Sequence, residues 1–258
     1  MAYTAQLTDA ARAYRERMLP GCEPDLLSTD PEFAERFINF AFGEIIEGTP
    51  ELDDRTRFMC WIATLLGCQG VDEFRVIAPA ALNMGLEPVA LREIVYQATD
   101  YLGIGRVYPF FKAMNECFEA EGIELPLPEQ ATTEPTDESR RAGGTEAQCA
   151  AFGENMRGFY DSGTDGRELM NHWLVKNCFG DFYTRKGLTM AERELITFCF
   201  IAAQGGCEAQ LRAHTGGNVH CGRTRKFMID VVSSNLPFIG YPRTLNALAV
   251  VTEVMPEE

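Results

Sequence analysis

The chain lacks any apolar run near the roughly 20 residues needed to span a bilayer. Its start, Met1-Ala2-Tyr3-Thr4, has neither a basic segment nor an apolar signal core. These absences point to a cytoplasmic protein with no membrane partner. Basic residues are also few: 23 Lys and Arg stand against 38 Asp and Glu, a net charge of −15. Phosphate binding needs a basic surface, so nucleic acid is excluded as a partner. The acidic runs Glu116 to Glu124 and Glu129 to Glu138 read as solvated surface. The nine cysteines are an odd number, spread without Cys-x-x-Cys or zinc-ligand spacing, which excludes a disulfide framework and a structural metal. A phosphate-binding glycine loop is missing as well: Gly103-Ile104-Gly105 has no third glycine and follows helix-like sequence.

Alternating strand patterns are scarce, and what remains is helix. In Asp54 to Leu66 the apolar residues Phe58, Met59, Ile62, Leu65 and Leu66 keep the spacing of an amphipathic helix. Ala191 to Ala203 repeats it with Leu195, Ile196, Cys199 and Ala202-Ala203. The fold class is all-α.

The same pattern occurs twice. Leu52, Arg57 and Gly70 return 136 residues later as Leu188, Arg193 and Gly206, while Gly85 and Gly103 return 137 later as Gly222 and Gly240. One residue has been gained between these two sets, and a repeat this long indicates a duplicated domain. At the 136 offset, Cys207, Gln210 and His214 stand opposite Val71, Phe74 and Ala78. Leu125 to Thr145 holds Pro126, Pro128, Pro135 and Gly143-Gly144 without apolar periodicity, so it reads as a surface connector. The expected division is a first domain over 1–125, a linker over 126–145 and a second domain over 146–258.

Chemistry concentrates in Gly205-Gly206-Cys207-Glu208-Ala209-Gln210-Leu211-Arg212-Ala213-His214. Cys207 is expected in the first turn of a helix, where N–H groups and the helix dipole favour a thiolate. Helical spacing puts Cys207, Gln210 or Leu211, and His214 on one face. Seven residues at about 1.5 Å rise separate Cys207 from His214 by roughly 10 Å, too far for a direct pair. A third group must lie between them, such as Gln210 or a carboxylate from the preceding helix. Glu194 fits, and neighbouring Glu192 is as close by spacing. His220 near a helix end and His172 before Trp173 read as structural, Tyr96 and Gln97 as packing residues, and Arg185 as solvated.

Arg193-Glu194-Leu195, then Gly-Gly-Cys-x-x-x-x-x-x-His, Asn218, Gly222 and Gly240-Tyr241-Pro242-Arg243 together resemble the carboxymuconolactone decarboxylase and alkylhydroperoxidase D-like superfamily. Ala80 to Gly85, Glu93-Ile94 with Gln97, and Tyr101-Leu102-Gly103 extend the resemblance into the first half. It implies two tandem alkylhydroperoxidase D-like helical domains, the first with a degenerate site, in a homo-oligomer that a tandem chain would reach as a trimer. In the decarboxylase branch it implies a lyase that works on a small organic acid or lactone without a cofactor. His214 would then be the acid/base, Cys207 and Glu194 its relay, and Gln210, Arg212 and Arg243 the contacts to an anionic substrate. The peroxidase branch uses two cysteines three apart, and here Gln210 takes the second place, so a thiol peroxidase would need Cys207 with Cys199 or Cys221. A non-catalytic binding module is the third alternative.

Overall fold

In the computed structural model, which describes residues 3–257, the chain is all-α with no strand among the described residues. The first half contains α1 (Asp9–Met18), α2 (Leu26–Thr29), α3 (Pro31–Asn39), a π-helical segment (Phe40–Glu44) and α4 (Ile45–Gly48). It continues with α5 (Asp54–Cys68), α6 (Val71–Asn83), α7 (Pro88–Leu102) and α8 (Ile104–Ala120). The second half runs α9 (Asp137–Phe152), a 3-10 segment (Glu154–Asp161), α10 (Glu168–Trp173) and a π-helical segment (Leu174–Tyr183). It ends with α11 (Met190–Gln204), α12 (Glu208–His220), α13 (Arg225–Ser234) and α14 (Leu236–Val254).

The duplication is visible in the backbone. Helices α5 and α11 both start from a side-chain N-cap, Asp53 on the Thr56 amide and Thr189 on the Glu192 amide, the latter within a capping box. Gly103 (φ 80°) separates α7 from α8, and Gly240 (φ 72°) makes the equivalent break inside α14. Only glycine enters such a conformation without strain, so these two corners hold the register of the repeat.

Three expectations change. The connector is non-helical only as far as Thr136, because the Thr136 hydroxyl caps α9 and Asp137 and Glu138 complement its dipole. The amphipathic spacing read in α5 and α11 does not leave them a polar face over most of their length: every residue from Arg57 to Gly67 and from Arg193 to Ala203 is buried. They pack on each other at the centre, and one continuous core runs through both halves. The extra residue of the second repeat lies at the start of α12. From Val71 and Glu208 onward the helices match at 137, and the buried set Phe74, Ile77, Ala78, Ala80, Ala81 returns as Leu211, His214, Thr215, Gly217, Asn218. The counterpart of His214 is therefore Ile77, not Ala78, and Cys207 is the gained residue.

Gly67 sits where α5 crosses α11. A Cβ there would lie 2.6 Å from the Phe200 carbonyl oxygen and 2.7 Å from the Ala203 Cβ. Gly67→Ala should push the central helices apart and destabilise the fold by about 1–3 kcal/mol, read from the urea midpoint. An unchanged midpoint would refute this packing.

Candidate active site

His214 lies mid-way along α12 with its side chain 10% exposed. Its Nδ1 is 2.8 Å from Oε2 of Glu194 on α11, a carboxylate with no solvent exposure. The Tyr183 hydroxyl donates to the other oxygen, Oε1, at 2.9 Å. Tyr183 closes the π-helical segment before α11, a backbone form often found at functional positions. Asn218 donates to the backbone carbonyls of Glu194 (3.0 Å) and His214 (2.8 Å), which ties α12 to α11 at the height of the pair.

The network crosses into the first repeat. Tyr101, the penultimate residue of α7, places its hydroxyl 2.9 Å from that of Tyr183, and the Cys178 thiol donates to Tyr101 at 3.6 Å. With Tyr183 donating to Glu194, these groups form one directed chain of hydrogen bonds toward the carboxylate. Thr197 also meets the Tyr183 hydroxyl at 2.9 Å. Burial, together with the Glu194 charge, holds the Tyr183 phenol well above its usual range, so it stays a donor. The rings of Tyr101 and Phe152 close on the imidazole edge-on, each with its centroid 5.4 Å away. Among the described residues, His214 Nε2 has no hydrogen-bond partner, and it is not fully buried.

In the first repeat the same places are apolar. Phe58 stands for Glu194, Ile77 for His214, Trp61 for Thr197 and Phe238 for Tyr101. Trp61 packs against Phe58 (4.9 Å) and Phe238 (5.2 Å), filling with rings the volume that the polar chain occupies in the second repeat.

The carboxymuconolactone decarboxylase family model matches residues 31–116 and again residues 168–253. The chain belongs to the carboxymuconolactone decarboxylase family. No curated protein matches it. Among solved structures it is similar in fold to a protein of Burkholderia xenovorans LB400, whose assignment as a gamma-carboxymuconolactone decarboxylase subunit is itself provisional. The TM-score is 0.52 at 18% identity, covering 96% of this chain and 98% of that one.

Within this carboxymuconolactone decarboxylase fold, the residues singled out from the sequence separate into two groups. Glu194 and His214 meet; Glu192 is instead the capping-box residue of α11 and an ion-pair partner of Arg55. Cys207 is the N-cap of α12 rather than part of its first turn. Its thiol accepts from Gln204 at 3.1 Å and borders a cavity of about 20 Å³ with Leu211 and Arg243, room for about one water. Arg243 donates to the Ala203 carbonyl. Gln210 is exposed, and so is Arg212, which pairs with Glu253 at 2.9 Å. Neither Gln210 nor Arg212 is therefore buried beside His214. Arg185 is not a solvated arginine but pairs with Glu93, and Gln97 is a buried polar link to Arg193 and Thr197. His172 stacks on Tyr160.

Sequence reasoning missed Tyr183, Tyr101, Thr197 and Gly217. Gly217 carried a usable signal: it lies three residues after His214, on the same face, where a side chain is expected. A Cβ there would collide with the Glu194 carboxylate, so glycine is what admits the acid. Gly217→Ala should break the pair, seen as loss of the His214–Glu194 contact in a crystal structure of the variant; an intact contact would contradict this.

Asp100 lies beyond Cys178 at the far end of the chain. Burial, reinforced by Asp181, raises its pKa from 3.8 to about 7. A raised carboxyl favours the folded state while protonated. That contribution is complete below about pH 4 and is lost as pH rises through about 7. Stability should therefore fall across this window with a slope approaching about 1.4 kcal/mol per pH unit, and Asp100→Asn should flatten it. Parallel urea-midpoint curves for the two proteins would refute the assignment.

Proposed function

We propose that the chain is a carboxymuconolactone decarboxylase-like lyase that performs acid/base chemistry on a small organic acid or lactone, with His214 transferring the proton. The observation that carries this is the buried Glu194 carboxylate, 2.8 Å from Nδ1 of a histidine whose Nε2 has no hydrogen-bond partner among the described residues. An ionised carboxylate only accepts, so the bond keeps a proton on Nδ1 and leaves Nε2 to exchange one with substrate. Tyr183 orients Glu194 by donating to its other oxygen. In a decarboxylation the bond to the departing CO2 breaks and its electron pair moves toward the lactone carbonyl. Nε2, having first taken up a proton from solvent, then delivers it to the carbon that lost CO2 and returns to its bare form, while Nδ1 keeps its own proton.

Neither Cys207 nor an arginine is needed for that step. The thiol-peroxidase alternative is disfavoured by the geometry, since Cys207 and Cys221 cap opposite ends of a 13-residue helix, about 20 Å apart. Cys199 is fully buried on α11. A non-catalytic module does not account for an acid buried against a histidine.

The proposal includes a homo-oligomer. Ile104 and Tyr108 on α8 and their counterparts Tyr241 and Leu245 on α14 are all more than half exposed. An apolar face repeated in both halves is suited to symmetric assembly.

His214→Gln should lower CO2 release from lactone carboxylic acids at least about 100-fold while leaving the far-ultraviolet helix signal unchanged. Glu194→Gln should lower kcat more than it raises KM. Full turnover in His214→Gln would remove the histidine from the mechanism.

A further inference from the structure

A second cavity, of about 660 Å³ and not lined by His214, opens between α7, α8 and the connector. Its walls are apolar and aromatic, chiefly Tyr96, Phe111, Met114 and Phe118, with Leu125 and Leu127 of the connector as a lid. Two arginines also line it. Arg92 lies 5.4 Å and Arg185 5.2 Å from the centroid of the Tyr96 ring, so both guanidinium groups gather at this aromatic side chain. Arg92 holds the connector in place through the carbonyls of Leu127 (3.0 Å) and Pro128 (2.8 Å).

The charges here do not balance. Arg92, Arg185 and Arg193 all lie within 4 Å of the Glu93 carboxylate, and they share that one buried acid. The Arg92 side chain is 7% exposed, and its Nε is buried with no hydrogen-bond partner. Burying uncompensated guanidinium charge is costly. In a chain of net charge −15 it is unexpected as mere surface composition. Glu129 at the rim is exposed and offsets little.

We propose that this cavity binds a small organic anion with a flat apolar body, its carboxylate facing Arg92 and Arg185 and its body lying against the half-buried Tyr96 and Phe111. Arginine is suited to planar carboxylates, and the aromatic wall supplies the apolar contact. This site is separate from His214 and does not depend on the function proposed for it.

Calorimetric titration with benzoate, and with benzamide as its neutral isostere, tests the proposal. Benzoate should bind with 1:1 stoichiometry and at least about tenfold more tightly than benzamide, equivalent to about 1.4 kcal/mol. Asn115→Trp, an exposed position on α8 at the cavity, should block binding without touching the arginine cluster. Arg185→Met should weaken binding about tenfold or more, and His214→Ala should leave it unchanged. Equal affinity for benzoate and benzamide, no binding of benzoate, persistence in Asn115→Trp, or loss in His214→Ala would each overturn the proposal.

Discussion

The structure depends on one buried arginine. Arg193 is 1% exposed, and its guanidinium reaches Glu93 and Gln97 of the first repeat as well as the carbonyls of Arg185 and Lys186. Separating a buried guanidinium from such partners is costly, so α11 has little freedom to shift against α7. Glu194 is the next residue. The contact that joins the repeats therefore also aims the acid of the candidate active site, and Gln97 continues the link through Thr197 to Tyr183.

The first repeat shows the same device without the chemistry. Arg57, the counterpart of Arg193, is buried and held by Thr49, the Leu52 carbonyl and Ser234 of the second repeat. Each half thus locks its central helix with groups from the other half. Next to Arg57, however, stands Phe58 where Arg193 is followed by Glu194, and an aromatic cluster replaces the hydrogen-bonded chain. The degenerate half is more than a scaffold, because it supplies Tyr101 to the other half's site.

The helices and their repeat were legible in the sequence, and so was a carboxylate of α11 near His214, but spacing alone left Glu192 and Glu194 equal. The 3.6-residue period, the capping residues and the glycine corners are local signals that survive folding. The exchange of partners between repeats was not legible, because Tyr101 lies 113 residues from His214 and nothing local marks it. The position of the gained residue was also hidden: glycines bracket it, but only the burial pattern of α6 and α12 shows that Cys207 is the insertion. Arg212 and Gln210 looked like pocket residues through proximity to His214 in sequence. Arg212, two residues from His214, is turned to another face of α12, whereas Gln210, four residues away, lies in the exposed first turn of the helix.

The account rests on Glu194 fixing the tautomer of His214. Nitrogen-15 spectra of histidine-labelled protein at neutral pH read this directly. The account predicts a His214 signal with the proton on Nδ1 and a bare Nε2, shifting toward a mixed tautomer in Glu194→Gln. A wild-type His214 protonated on Nε2 and bare at Nδ1 would contradict it.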